Sequence, residues 1–173
     1  MPYTGIVLAI LAFHAAAFLI LLGHWLVAAG MFPRATQSFA AIYEQRPIRA
    51  TLLGLVTYGP LLVLALSASK IPSGGGKLLA LFTGLAALLI AFVGTAGLAL
   101  RIGRNLCAGA DAWQQCLRGG VMLALVFITP LLGSAFLMHV GLASGFGAFL
   151  LARPWKAVAV PPPLAPTPEP ALS

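Results

Sequence analysis

The sequence predicts an all-α membrane protein with four to five transmembrane helices in two tandem repeats. Three observations predict it. Of 173 residues, 61% are hydrophobic and only 8% charged, with a mean hydropathy of +1.02. A soluble domain of this length has no interior large enough to hide that much apolar surface. Four stretches are long enough to cross a bilayer, whose ~30 Å hydrocarbon core takes about 20 apolar residues. Finally, Arg34 to Leu62 aligns with Arg104 to Leu132 at an offset of 70 positions without a gap. Arg34 meets Arg104, Gln45 meets Gln115, Tyr43 meets Trp113, and Pro60-Leu61-Leu62 meets Pro130-Leu131-Leu132. In a Leu/Ala-rich chain, the matches among Arg, Gln and Pro carry the weight.

Gly5 to Met31 reads as the first span. At 1.5 Å per residue it would be about 40 Å long, so it should tilt or protrude. Met1-Pro2-Tyr3-Thr4 lacks a basic leader, and the apolar stretch is too long for a signal peptide. Trp25 falls near its end, where aromatic residues favour the interface. From Phe32 to Arg46, apolar residues recur at steps of three and four while Arg34, Gln37, Glu44 and Gln45 take the other side. This predicts a short amphipathic helix lying in the membrane interface, with Pro33 in its first turn and Pro47 stopping it.

Ala50 to Ser69 is the second span. Pro60 at its centre removes a backbone donor, predicting a break that faces other helices. Lys70 to Lys77 (KIPSGGGK) reads as a polar turn, and Leu78 to Leu100 as the third span, with Gly84, Gly94 and Gly97 able to admit close neighbours. Arg101 to Arg118 repeats the interfacial theme with Ile102, Leu106, Trp113 and Leu117 on one face, weakened by Gly103 and Gly109. Gly119 to Ala152 stays apolar for 34 residues, about 51 Å as one helix and too long for a single crossing. Repeat 1 therefore covers about 5–69, repeat 2 about 75–139, and a short last span about 135–152, within a transmembrane domain of 1–155.

Charge placement orients the chain. If the last stretch crosses once, Arg34, Arg46, Arg49, Arg101, Arg104 and Arg118 face one side, against Lys70, Lys77, Arg153 and Lys156 on the other. If it folds back, with a break between Pro130 and Ser134, the tail joins the first group and the split becomes eight against two. The positive-inside rule prefers the second arrangement, with the C-terminus cytoplasmic and the uncharged N-terminus outside. A re-entrant hairpin is the other way to accommodate the stretch. Residues 156–173 form a Pro-rich tail, expected to be extended or flexible.

The net charge of +7 could suggest nucleic acid, but the ten Lys and Arg are scattered between apolar stretches. They read as topology signals and lipid contacts, and nucleic acid is not an expected partner. Cys107 and Cys116, nine positions apart, read as reduced thiols on the cytoplasmic side, a disulfide being the other possibility. Histidine within a span can ligate haem or a pigment, which makes His14, His24 and His139 cofactor candidates. His14 and His24 are about 15 Å and about 80° apart on one helix and cannot share a metal; the plainer reading is a neutral imidazole bonded between helices.

The only acids, Glu44, Asp111 and Glu169, lie outside the spans. Paired catalytic carboxylates, a phosphate-binding glycine loop and a helical zinc motif are absent from the sequence, so no catalytic residue, metal or cofactor is expected. Arg34, Arg46, Arg49, Arg104 and Arg118 are the residues expected to contact lipid or a partner. Arg34 and Arg104, at matched repeat positions, are the pair to watch.

FPRATQSFAAIYEQRPIRATLLGL (Phe32 to Leu55) resembles a pattern in bacterial membrane modules linked to bactofilins, where a Phe-Pro-Arg opens an interfacial helix and an Arg-Pro-hydrophobic-Arg step leads into a Gly-containing span. Thr129-Pro130-Leu131-Leu132-Gly133 is similar to their Pro-x-x-Gly break, and Gly145-Phe146-Gly147-Ala148-Phe149-Leu150-Leu151 to their closing run. Many relatives carry a polymer-forming β-helical bactofilin domain before the spans; here span one starts at Gly5, so the module is expected without it. Ser73-Gly74-Gly75-Gly76 also departs from their apolar loop before span three.

The resemblance implies a module of the bacterial inner membrane tied to cell-envelope or cytoskeletal organisation, and it brings no catalytic residues. The expected function is a non-enzymatic membrane scaffold or accessory subunit with membrane or cytoskeletal protein partners. The alternatives are a small transporter or channel with a site at Pro-broken helices, and a haem- or pigment-binding subunit.

Overall fold

The computed structural model describes residues 2–129 and 132–152, with backbone only for Pro2, Tyr3, Ser134 and Ala135. Among these residues every element is helical: α1 (Pro2–Met31), α2 (Pro33–Gln45), α3 (Pro47–Ser69), α4 (Gly74–Leu106), α5 (Ala112–Ile128), a π-helical turn (Gly133–Leu137) and α6 (Met138–Leu151). Three helices are long and apolar enough to cross a membrane, over Thr4–Met31, Pro47–Ser69 and Gly74–Leu106. In α1 only 6% of the most apolar window is buried, and Phe13, Ile20 and Leu19 stand 65–71% exposed. Such a surface needs lipid rather than water around it. The other two apolar helices, α5 and α6, are shorter, at 17 and 14 residues.

Single residues make the first two elbows. Phe32 (φ −127°, ψ 57°) and Arg46 (φ −145°, ψ 52°) each precede a proline, whose ring bars the preceding residue from helical geometry. The Thr36 hydroxyl braces the first elbow against the carbonyls of Ala28 and Phe32. Ser73 caps α4 by accepting from the Gly76 amide, so Gly74 to Lys77, expected in a turn, form the first helical turn instead.

α4 touches every other helix. Gly119 lies on Ala99 and Gly103 on Gln115, so α5 runs antiparallel to α4; Gly120 against Leu22 and Trp25, and Gly30 beside Trp113, bring α1 alongside α5 and parallel to α4. α3 runs antiparallel to α4, with Ala65 beside Gly84. α6 comes back antiparallel to α3, placing Ala143 on Gly54 and Gly147 on Ala50. It therefore ends beside α2, where Phe149 meets Phe39.

α6 is wedged between α3 and α4, and all eight residues from Gly141 to Ala148 are buried. Only small residues permit this on two sides at once. A Cβ at Gly145 would strike the Ala91 carbonyl of α4, and one at Gly147 the Ala50 carbonyl of α3. Lipid tails supply no hydrophobic drive for helix association, so close backbone contact and buried hydrogen bonds do the work. Gly94 and Gly97 serve as expected, against Gly145 and Phe39; Gly84 has only an ordinary neighbour in Ala65.

Several expectations are corrected. Arg101 to Arg118 is not an interfacial helix: α4 continues to Leu106, a turn containing Gly109 (φ +94°) follows, and Asp111 caps α5 by accepting from the Gln114 amide at 2.7 Å. Residues 5–69 and 75–139 thus differ after their first helix. Pro60 does not break α3, which runs unbroken through it, and it is exposed rather than turned to the bundle. One missing bond costs the helix less than opening the remaining carbonyls to lipid.

Pro130 lies outside the described residues; α5 stops at Ile128 and helical backbone is again present from Leu132. The tail over 156–173 and the bases Arg153 and Lys156 also lie outside them. Trp25 is fully buried rather than interfacial. The apolar face of α2 (Phe39, Ala40, Tyr43) rests on the bundle instead of on lipid, because Gly97 leaves room for Phe39 and Ala40.

Candidate functional site

Polar groups gather at the end of the bundle where α1, α4 and α6 finish and α2, α3 and α5 begin. Arg34 is exposed at the start of α2, and Arg46 and Arg49 are exposed at the elbow into α3. Arg104 on α4 donates to Glu44 on α2 at 3.2 Å, with side chains 34% and 47% exposed. Such a pair is worth about 0–1 kcal/mol, enough to orient the end of α2 but not to hold it there. Docking of α2 rests instead on Phe39, Ala40 and Tyr43. The Tyr43 hydroxyl lies 3.2 Å from Ser144 Oγ, and burial pushes its phenol well above the usual range, the Ser144 bond offsetting only part of that.

Arg34 and Arg104 do not meet. Glu44, the partner of Arg104, is ten residues along α2 from Arg34, about 15 Å. Near the start of α2, instead, the end of α1, the starts of α2 and α5 and Leu100 of α4 border a cavity of about 220 Å³ lined by Gly30, Pro33, Gln37, Leu100 and Trp113. Trp113 is 51% exposed at its rim. A second, shallow cleft of about 400 Å³, open to the surroundings, lies on the surface of the elbow along Gln45, Arg46, Pro47, Ile48 and Arg49. Arg118 donates to Cys107 Sγ at 2.8 Å across the α4–α5 turn. Both cysteines are free, and Cys116 is buried under the Trp25 carbonyl.

The histidines stay apart. His14 Nδ1 donates to the Ile10 carbonyl at 2.7 Å, in its own helix. His24 lies edge-on to Phe92 with its Nε2 buried and unpartnered among the described residues. His139 is exposed at the start of α6. Among the described residues no group of three or more His, Cys, Asp or Glu could hold a metal.

Sequence reasoning missed the Trp113 cavity and the Glu44–Arg104 pair, which depend on helices distant in sequence. It missed the start of α5 as well, although Asp111-x-x-Gln114 is a local N-cap signal. Compared with protein-family models, curated proteins and solved structures, the chain has no significant match in any of the three. The fold and the polar end define its class by themselves: a small all-helical protein, among the described residues, with three helices long and apolar enough to cross a membrane and a cluster of arginines at one end.

Proposed function

We propose that this chain is a non-enzymatic membrane scaffold or accessory subunit whose cationic end positions a protein partner at the cytoplasmic face. One observation carries this reading: Gln37 and the exposed Trp113 line the α1–α2–α5 cavity, and the exposed Arg34 follows its lining residue Pro33 in the chain, which sets an aromatic anchor near a charge, a combination suited to a protein contact. The bacterial inner membrane, a C-terminus on the cytoplasmic side and an N-terminus outside follow from charge placement and from the resemblance to bactofilin-linked modules. A membrane or cytoskeletal subunit is the matching partner.

Descent from a tandem duplication belongs to the same reading. Parallel α1 and α4 are what a parallel repeat requires, and Trp25 and Thr95, which the 70-residue offset superposes, touch each other. The second unit then diverged by losing its interfacial helix.

The test is crosslinking mass spectrometry of the chain in native membranes, comparing wild type with Arg34→Ala/Trp113→Ala and Arg34→Ala/Arg104→Ala. A stoichiometric partner lost from both variants, with insertion unchanged, supports the proposal. A partner retained by both, or a partner-free oligomer, overturns it.

A further inference from the structure

The geometry points to a binding site for the phosphate headgroup of an anionic phospholipid at the α2–α3 elbow, held by Arg46 and Arg49. The two guanidinium-bearing residues flank Pro47 and Ile48 in the cleft of about 400 Å³. Among the described residues neither has a carboxylate partner; the one ion pair there is Glu44 with Arg104. Gln45, on the wall of the same cleft, adds an amide that can donate to a phosphate oxygen. Planar guanidinium forks match phosphate oxygens two at a time, which makes arginine pairs at a membrane surface selective for phosphate over bulk anions.

A second feature argues for a lipid rather than a soluble phosphate. Directly beyond the arginines, Ile48 (72% exposed), Leu52, Leu55 and Val56 form an uninterrupted exposed apolar strip along α3. Their spacing of four, three and one keeps them on one side of the helix. A ligand seated on the arginines would have its apolar part laid along this strip, the arrangement of a headgroup above an acyl chain. The elbow fixes the two halves relative to each other: Arg46 is held between helices by its amide bond to the Ile42 carbonyl, and its own carbonyl receives the Ala50 amide.

Zwitterionic lipid would satisfy the strip but bring a cationic amine to two guanidiniums. An anionic headgroup brings none, and basic pockets between membrane helices favour such lipids. This site shares the cationic end with the proposed partner surface but none of its residues, so either can fail while the other stands.

The test uses the full chain, delipidated in mild detergent, with lipid retention counted by native mass spectrometry during titration with phosphatidylglycerol, phosphatidylcholine or inorganic phosphate. Wild type should favour phosphatidylglycerol over phosphatidylcholine by roughly tenfold, the size of one charge-assisted contact. Arg46→Gln/Arg49→Gln should erase that preference, and Arg34→Gln should leave it. Should the double variant fail to fold, Arg49→Lys, which keeps the charge and loses the fork, should lower the preference severalfold. The proposal is overturned by a preference that survives these elbow changes, by an equal loss in Arg34→Gln, or by inorganic phosphate displacing the lipid completely.

Discussion

The indole nitrogen of Trp25 donates to Thr95 Oγ1 at 2.9 Å, joining α1 to α4 at the bundle's centre. Thr95 Oγ1 in turn donates to the Phe92 carbonyl at 2.7 Å. The same arrangement recurs at the α2–α6 contact. Ser144 Oγ donates to the Gly141 carbonyl at 2.8 Å, so its single proton is committed and the Tyr43 hydroxyl must be the donor to Ser144. In both cases an aromatic donor is bonded to a hydroxyl that caps its own helix's carbonyl, leaving no buried proton unpaired.

Thr95→Val keeps the shape but strands the Trp25 N–H, so it should destabilise the folded protein by about 0.6–1.7 kcal/mol, the range for hydrogen bonds between membrane helices. Trp25→Phe, which leaves Thr95 bonded to Phe92, should lose the same bond plus some packing. Reversible unfolding in bicelles should show the double variant less destabilised than the sum of the singles; strict additivity would remove the bond from the account.

The α6 wedge predicts a contrast among glycines. Gly145→Ala and Gly147→Ala drive a methyl into the backbone of α4 and α3 respectively, and overpacking of this kind costs about 1–3 kcal/mol. Gly84→Ala meets only Ala65 at 3.7 Å and should change stability by about 0.5 kcal/mol or less. Equal behaviour of the three variants in the same unfolding assay would contradict the wedge.

At the start of α5, Asp111→Ala should cost about 1 kcal/mol and Asp111→Asn much less, since either side-chain oxygen can accept from the Gln114 amide. Glu44→Gln should cost under about 1 kcal/mol, and that cost should shrink further in high salt. Thermal unfolding at low and high salt separates the two, because the cap bond is local and barely screened.

Thiol labelling tests the orientation. Cys107, half exposed on the polar end, should react with a membrane-impermeant maleimide from the cytoplasmic side only; buried Cys116 should react only after unfolding. A cysteine at Lys70, at the opposite end, should label from outside. Labelling of positions 70 and 107 from the same side would invalidate the proposed topology.

Much of the architecture is legible without coordinates because it depends on local chemistry. Apolar runs of 20 residues or more dictate helices in lipid, where backbone groups have no other partner. Pro33 and Pro47 place both ends of α2, because a proline constrains the residue before it whatever surrounds it. Tertiary structure decided what those helices touch. Whether the apolar face of α2 lies on lipid or on α4 depends on the gap at Gly97, 58 positions downstream of Phe39.

Pro60 announced a break that α3 does not make, because a helix held by its neighbours tolerates one missing bond. The repeat alignment paired Arg34 with Arg104, but the fold gave Arg104 to Glu44. Composition and periodicity determine which segments become helices, since those signals act within a few residues. The cationic elbow is local too, since Pro47 sets it among neighbouring residues; the Trp113 cavity and the buried α6 arise only when helices far apart in sequence meet, and backbone contact at glycines sets where they do.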